Sequence, residues 1–250
     1  MKKFTRFLAL VALSAGLLMA GCEKENNGGS TGGGNNGGGN NNGGGNNGGG
    51  GGTNAEWVDL GLPSGLLWCS HNVGASNPED YGDYFAWGET QPKNDYGWST
   101  YRYCTVDGEG VVDTLTKYNT VTEYGPVDSL TTLEPGDDAA TALLGNGARI
   151  PTQEEWQELL DNTTSEWMTL NDVNGKRFTA PNGNSIFLPA AGSRSSSGLL
   201  RAGTVGSYWS ASLDTEYPSG VWRCYFSVVD QGVSHNYRYY GFSVRAVRQN

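Results

Sequence analysis

Ser185-Ile186-Phe187-Leu188-Pro189-Ala190-Ala191-Gly192 opens the part of this chain whose reading decides the fold. Ile186 to Leu188 has the apolar character of a buried strand, and the chain returns through Ser207-Tyr208-Trp209-Ser210-Ala211-Ser212 to a second strand over residues 221–229. There Trp222, Cys224, Phe226 and Val228 alternate with Arg223, Tyr225 and Ser227. A period of two places the first set against a core and the second against water. Ser234-His235-Asn236-Tyr237-Arg238-Tyr239-Tyr240 follows, polar and aromatic without an aliphatic residue, and reads as a contact loop. A closing strand over residues 241–248 puts Phe242, Val244 and Ala246 inward.

Upstream, two helices are predicted. The first covers residues 137–144, with Asp137 and Asp138 at the end where carboxylates suit the helix dipole and Gly145 just past the other end. The second follows Ile150-Pro151, with Thr152 as N-cap, Glu155 completing a capping box, and Trp156, Leu159 and Leu160 at helical spacing; it stops near Asn162. Asn174-Gly175 and Asn182-Gly183 are turn signals on either side of residues 176–179, which pair with residues 185–188 as a hairpin. Two helices followed by hairpin strands predict an α+β domain over residues 55–250.

The N-terminal fifth has a different character. Lys2, Lys3 and Arg6 precede an apolar run from Phe7 to Met19, the charged and hydrophobic regions of a secretory signal over residues 1–21. The run ends in Leu18-Met19-Ala20-Gly21-Cys22, similar to a lipobox, in which Cys22 takes the lipid after cleavage; an ordinary signal with a chance cysteine is the other reading. Residues 22–54 continue as the lipidated Cys22 and a tether that from Asn26 to Asn54 is Gly/Asn-rich with no apolar side chain to offset the entropy of ordering, flexible with a reach of about 30 Å. Expansion of a low-complexity repeat accounts for the same residues.

Removing the three leader cations from 16 leaves 13 basic residues against 26 acidic ones, a net charge of −13. Such a surface argues against nucleic acid as a partner. Of the three cysteines beyond Cys22, Cys69 and Cys104 either pair, leaving Cys224 free, or all three are thiols. Arg245 and Arg248, in the closing strand, are candidates to pair with carboxylates of the body.

Phe187-Leu188-Pro189-Ala190-Ala191-Gly192, Gly206-Ser207-Tyr208-Trp209-Ser210 and Gly241-Phe242-Ser243-Val244-Arg245-Ala246-Val247-Arg248 resemble the Fibrobacter succinogenes major paralogous domain family, as do residues 57–65, 72–75 and 81–89. The family is abundant in Bacteroidetes lipoproteins and is related to C-type lectin-like folds, so the resemblance implies a C-type lectin-like fold over about residues 56–248. With the lipobox and Glu23-Lys24-Glu25 it implies outer-membrane anchoring and display at the cell surface, periplasmic retention being the alternative. The chain is also similar to variable proteins of diversity-generating retroelements, which are diversified between a Tyr-Trp-Ser segment and a closing strand of this type.

Arg149 to Trp156 resembles a segment of formylglycine-generating enzymes, yet those need paired late cysteines and only Cys224 lies late here. His71 and His235 lack partners at zinc spacing, no calcium motif is complete, and no cofactor motif is present. Catalysis is therefore not assigned; a structural surface protein or a degenerate enzyme are the alternatives to binding. Tyrosines supply contact area at low entropic cost, and Arg, Asn and His supply adaptable hydrogen bonds. The expected site for a protein or glycan ligand is Tyr217, Arg223, Tyr225, His235, Asn236, Tyr237, Arg238, Tyr239 and Tyr240. Removing the last three tyrosines is expected to abolish binding and leave the melting temperature nearly unchanged.

Overall fold

The computed structural model describes residues 56–250, which belong to one compact unit; the leader, Cys22 and the Gly/Asn segment lie outside the described residues. The chain begins with β1 (Trp57–Asp59), β2 (Leu67–Asn72), β3 (Tyr84–Phe85), β4 (Cys104–Val106) and β5 (Val112–Leu115). Two helices follow, α1 (Ala139–Leu144) and α2 (Gln153–Asn162). Next come β6 (Thr164–Leu170), β7 (Val173–Thr179), β8 (Ser185–Pro189), β9 (Ser193–Ser195) and β10 (Gly198–Leu200). The chain closes with β11 (Val205–Leu213), β12 (Gly220–Ser227), β13 (Gln231–Tyr237), β14 (Phe242–Ser243) and β15 (Arg245–Arg248). This is a mixed α+β protein of several small sheets, antiparallel throughout except where β14 runs parallel to β11.

The largest sheet has the order β13-β12-β11-β14-β3, and β15 pairs with β2, whose other edge pairs with β1, so that the last described strand returns to the sheet formed by the first two. β11 runs between two cores, which is why its burial is nearly continuous. Successive side chains leave opposite faces of a strand. Tyr208 therefore enters the core of Trp68, Trp156, Phe178, Cys224 and Phe226, while Trp209 enters the one holding Phe85, Trp87, Tyr118, Val221 and Phe242.

α2 forms as its sequence dictates. The Thr152 hydroxyl accepts the Glu155 N–H at 3.3 Å and the Glu155 carboxylate accepts the Thr152 N–H at 2.8 Å. Trp156 and Leu159 are buried, and the Trp156 indole N–H donates to the Trp209 carbonyl at 3.1 Å, tying the helix to β11. Thr152→Ala is expected to lower stability by about 1 kcal/mol in urea unfolding, the usual worth of an N-cap. In α1 it is Asp138 that caps, accepting from Thr141 N–H and Ile150 N–H at 2.9 and 2.8 Å. Asp137 is not spent on the dipole. It accepts from the hydroxyls of Tyr103 and Tyr118 and from Lys117, and these bonds outweigh burial and hold its carboxyl below the usual range.

Four expectations are corrected. Asn174-Gly175 lies inside β7, and the turn falls at Asn171-Asp172, both at positive φ (45° and 65°). Gly175 is there for close approach: a Cβ would sit 2.4 Å from the Leu188 carbonyl and 2.5 Å from the Phe187 ring. β12 ends at Ser227, leaving Val228 and Val229 exposed in the turn instead of inward. Residues 234–237 are not loop but the second half of β13, in register from Gly220↔Tyr237 to Phe226↔Gln231. An edge strand with a polar face shows no aliphatic alternation, so its period was hidden. Arg245 pairs with no carboxylate; it is fully buried and bonded to Asn72 and three backbone carbonyls. Arg248 lies over the Trp57 ring at 4.4 Å. Cys69, Cys104 and Cys224 are free thiols.

Candidate functional site

The site begins at the end of β11, where the chain turns through residues 214–219 into β12. Asp214 is buried; its Oδ1 accepts the N–H groups of Glu216 and Tyr217, each at 3.1 Å, and its Oδ2 lies 2.7 Å from His235 Nδ1. One carboxylate thus shapes the turn and fastens it to β13. Trp222 faces His235 across the β12–β13 ladder, ring centroids 6.0 Å apart, and Tyr217 stands 6.2 Å from the same imidazole. These rings border an open groove of about 660 Å³, lined also by Thr131, Gln153, Glu154, Ser212 and Glu216. The start of α2 supplies Gln153 and Glu154, placed by the bond from Gln153 N–H to the Ser212 hydroxyl.

The expected site residues divide into four places. Tyr217 and His235 border the groove, and Asn236, half-buried, spends its Oδ1 on the Tyr237 N–H at 2.8 Å. Arg223 and Tyr225 leave β12 on the face away from Trp222; Arg223 Nη1 donates to the Ser207 hydroxyl at 2.7 Å and the Tyr225 hydroxyl to Asp230 at 3.1 Å. Tyr237, Tyr239 and Tyr240 form a stacked series running on to Phe242, with successive centroids 5.7, 4.7 and 5.9 Å apart, and Trp98 caps Tyr239 at 4.9 Å. Tyr237 is 47% exposed, but Tyr239 and Tyr240 are half-buried and pack against the core.

Arg238 is the clear correction. It is fully buried and cannot meet a ligand; its guanidinium donates to the carbonyls of Lys117, Tyr118 and Pro218. Trp222, expected in the core, is half-buried at the groove, and Gln153 and Glu154 were not anticipated at all. The α2 pair carried no signal beyond helix capping, since only the packing of α2 on β11 brings them beside β12.

Nothing in this geometry prepares catalysis through Cys224. The thiol is buried on the core face of β12, and burial pushes it up to about 12, away from the thiolate a nucleophile requires. Among the described residues no group of three or more His, Cys, Asp or Glu is placed to hold a metal ion. What the groove offers is three ring faces beside carboxylates, an amide and hydroxyls. No family model, curated protein or solved structure matches this chain.

Proposed function

We propose that this chain is a non-catalytic, lipid-anchored binding protein of the bacterial outer membrane, displaying a C-type lectin-like domain that takes a glycan in the groove beside Trp222. The fold reading is supported by the pairing of β15 with β2 and by two helices preceding a long run of hairpins. The anchor reading rests on Leu18-Met19-Ala20-Gly21-Cys22 and the segment after it.

The observation that carries the binding reading is the meeting of Tyr217, Trp222 and His235 with Gln153, Glu154 and Glu216 in one groove. Aromatic faces attract the polarised C–H bonds of a pyranose, and carboxylates and amides accept and donate to its hydroxyls. A groove with these acidic groups favours neutral sugars over anionic ones. In a neutral glycan screen of the full chain, Trp222→Ala is expected to weaken binding by roughly ten- to a hundredfold, as for loss of a central aromatic anchor. Capture of a protein ligand that survives Trp222→Ala, with no glycan bound, would replace this reading with protein recognition.

A further inference from the structure

Three arginines of the C-terminal strands and their connections are withdrawn from water, Arg238 and Arg245 fully and Arg223 in part, and the protein treats them differently. Arg245 places its donors on Asn72 Oδ1 and on the carbonyls of Cys69, Ser70 and Phe187, all at 2.8–3.0 Å. Arg238 leaves Nε unpaired but lays the rest of its fork on three carbonyls. Arg223 has a single partner, the neutral Ser207 hydroxyl, and its Nε is buried with no acceptor. It forms no ion pair among the described residues.

Such an arrangement is costly. A partly desolvated guanidinium with a single neutral partner loses hydration without recovering it. An incoming anion at the Nη groups replaces that hydration. The surroundings also indicate what carries that anion. The Arg223 guanidinium lies 5.3 Å from the Tyr225 ring centroid and 5.4 Å from that of Phe242, on which Tyr240 stacks at 5.9 Å. The cation is thus framed by rings on a regular strand. A uronic acid unites a carboxylate with a pyranose ring, so one residue of a glycan meets both contacts, whereas a Glu side chain supplies only the charge. A planar guanidinium suits the carboxylate better than an ammonium would.

We propose that Arg223, with Ser207 and Tyr225, forms a second binding site, on the face of β12 opposite the groove, for the uronic acid residue of an acidic glycan. Arg223 and Trp222 are consecutive in one strand, so the two sites stand on opposite sides of the sheet.

The test titrates the full chain calorimetrically at low salt with tetragalacturonate, with the neutral galactose tetramer of the same linkage, with tetraglutamate and with inorganic phosphate. The expected result is tetragalacturonate bound about tenfold or more tighter than each of the other three, with Arg223→Lys losing about tenfold although it keeps the charge and stem. Trp222→Ala leaves this binding intact, which separates the site from the groove. Arg223→Met is expected to abolish it; should that variant unfold, the Lys variant and the acidic-against-neutral comparison still decide. Equal affinity for the acidic and neutral tetramers, no binding of either, or no loss in Arg223→Lys would overturn the proposal. Tetraglutamate or phosphate bound as tightly as the uronate would overturn it in favour of a peptide or a free anion.

Discussion

Arg238→Ala is expected to destabilise the domain by about 3–5 kcal/mol, the range of changes that leave several buried polar groups without partners. The Nη1 and Nη2 groups of Arg238 reach the Lys117 and Tyr118 carbonyls at 2.9 and 2.8 Å and that of Pro218 as well. Its backbone is used too, accepting from Trp87 N–H at 2.9 Å and donating to the Ser219 carbonyl at 3.2 Å. One residue therefore holds together the segment after β5, the 214–219 turn and the end of β13. Truncation orphans three carbonyls and opens the space beside Trp87, whose ring centroid lies 5.4 Å from the guanidinium. Because Pro218 follows Tyr217, the groove should loosen as well, and glycan affinity should fall with stability. Urea unfolding followed by Trp fluorescence checks the first effect. Arg238→Lys should restore only part of the loss, since an ammonium cannot fork across three carbonyls. A change within about 0.5 kcal/mol for the Ala variant, the level of an ordinary surface substitution, would show that the residue is not structural. Substitution at 237 re-faces the surface, while substitution at 238 removes a strut.

How much of this was legible in the sequence depends on whether the signal was local. The capping box of α2 and the inward set Phe242, Val244 and Ala246 were readable because each is fixed by neighbours a few residues away. Asn174-Gly175 misled because glycine serves both turns and close packing, and only the Phe187 ring across the ladder distinguishes them. Arg238 misled for a related reason. Arg beside Tyr, Asn and His describes a contact surface, and the three carbonyls that capture it come from positions 117, 118 and 218. The groove was only half visible. Tyr217 and His235 stood out as polar aromatics, but Gln153 and Glu154 join them through a helix-to-strand packing that residue types do not encode. That Arg223 and Trp222 serve different faces follows from strand alternation, yet residue types do not show that the Trp222 face is core at Cys224 and Phe226 and groove at Trp222.

Replacing Tyr237, Tyr239 and Tyr240 together by Ala should lower stability by on the order of 4 kcal/mol, against the expectation from composition that the melting temperature would hold. The three rings do not simply project from a loop. Tyr239 and Tyr240 stack at 4.7 Å, Tyr240 stacks on Phe242, and Phe242 lies 4.1 Å from Trp209, so the series runs from the surface into the core. Trp98 closes its outer end, 4.9 Å from Tyr239 and 6.0 Å from Tyr237. Each such aromatic pair contributes about 0.5–1.5 kcal/mol beyond the area it buries, and the triple variant removes or exposes several at once. For a domain of this size the drop corresponds to roughly 8–16 °C in a thermal melt. Tyr237→Ala alone, at the exposed end, should cost less than about 1 kcal/mol. The loss in the triple variant should differ from the sum of the three single losses, because stacked neighbours share contacts and each truncation changes what the next one removes. A triple variant melting within about 2 °C of the wild type would break the stack as a structural unit and return all three tyrosines to the binding surface.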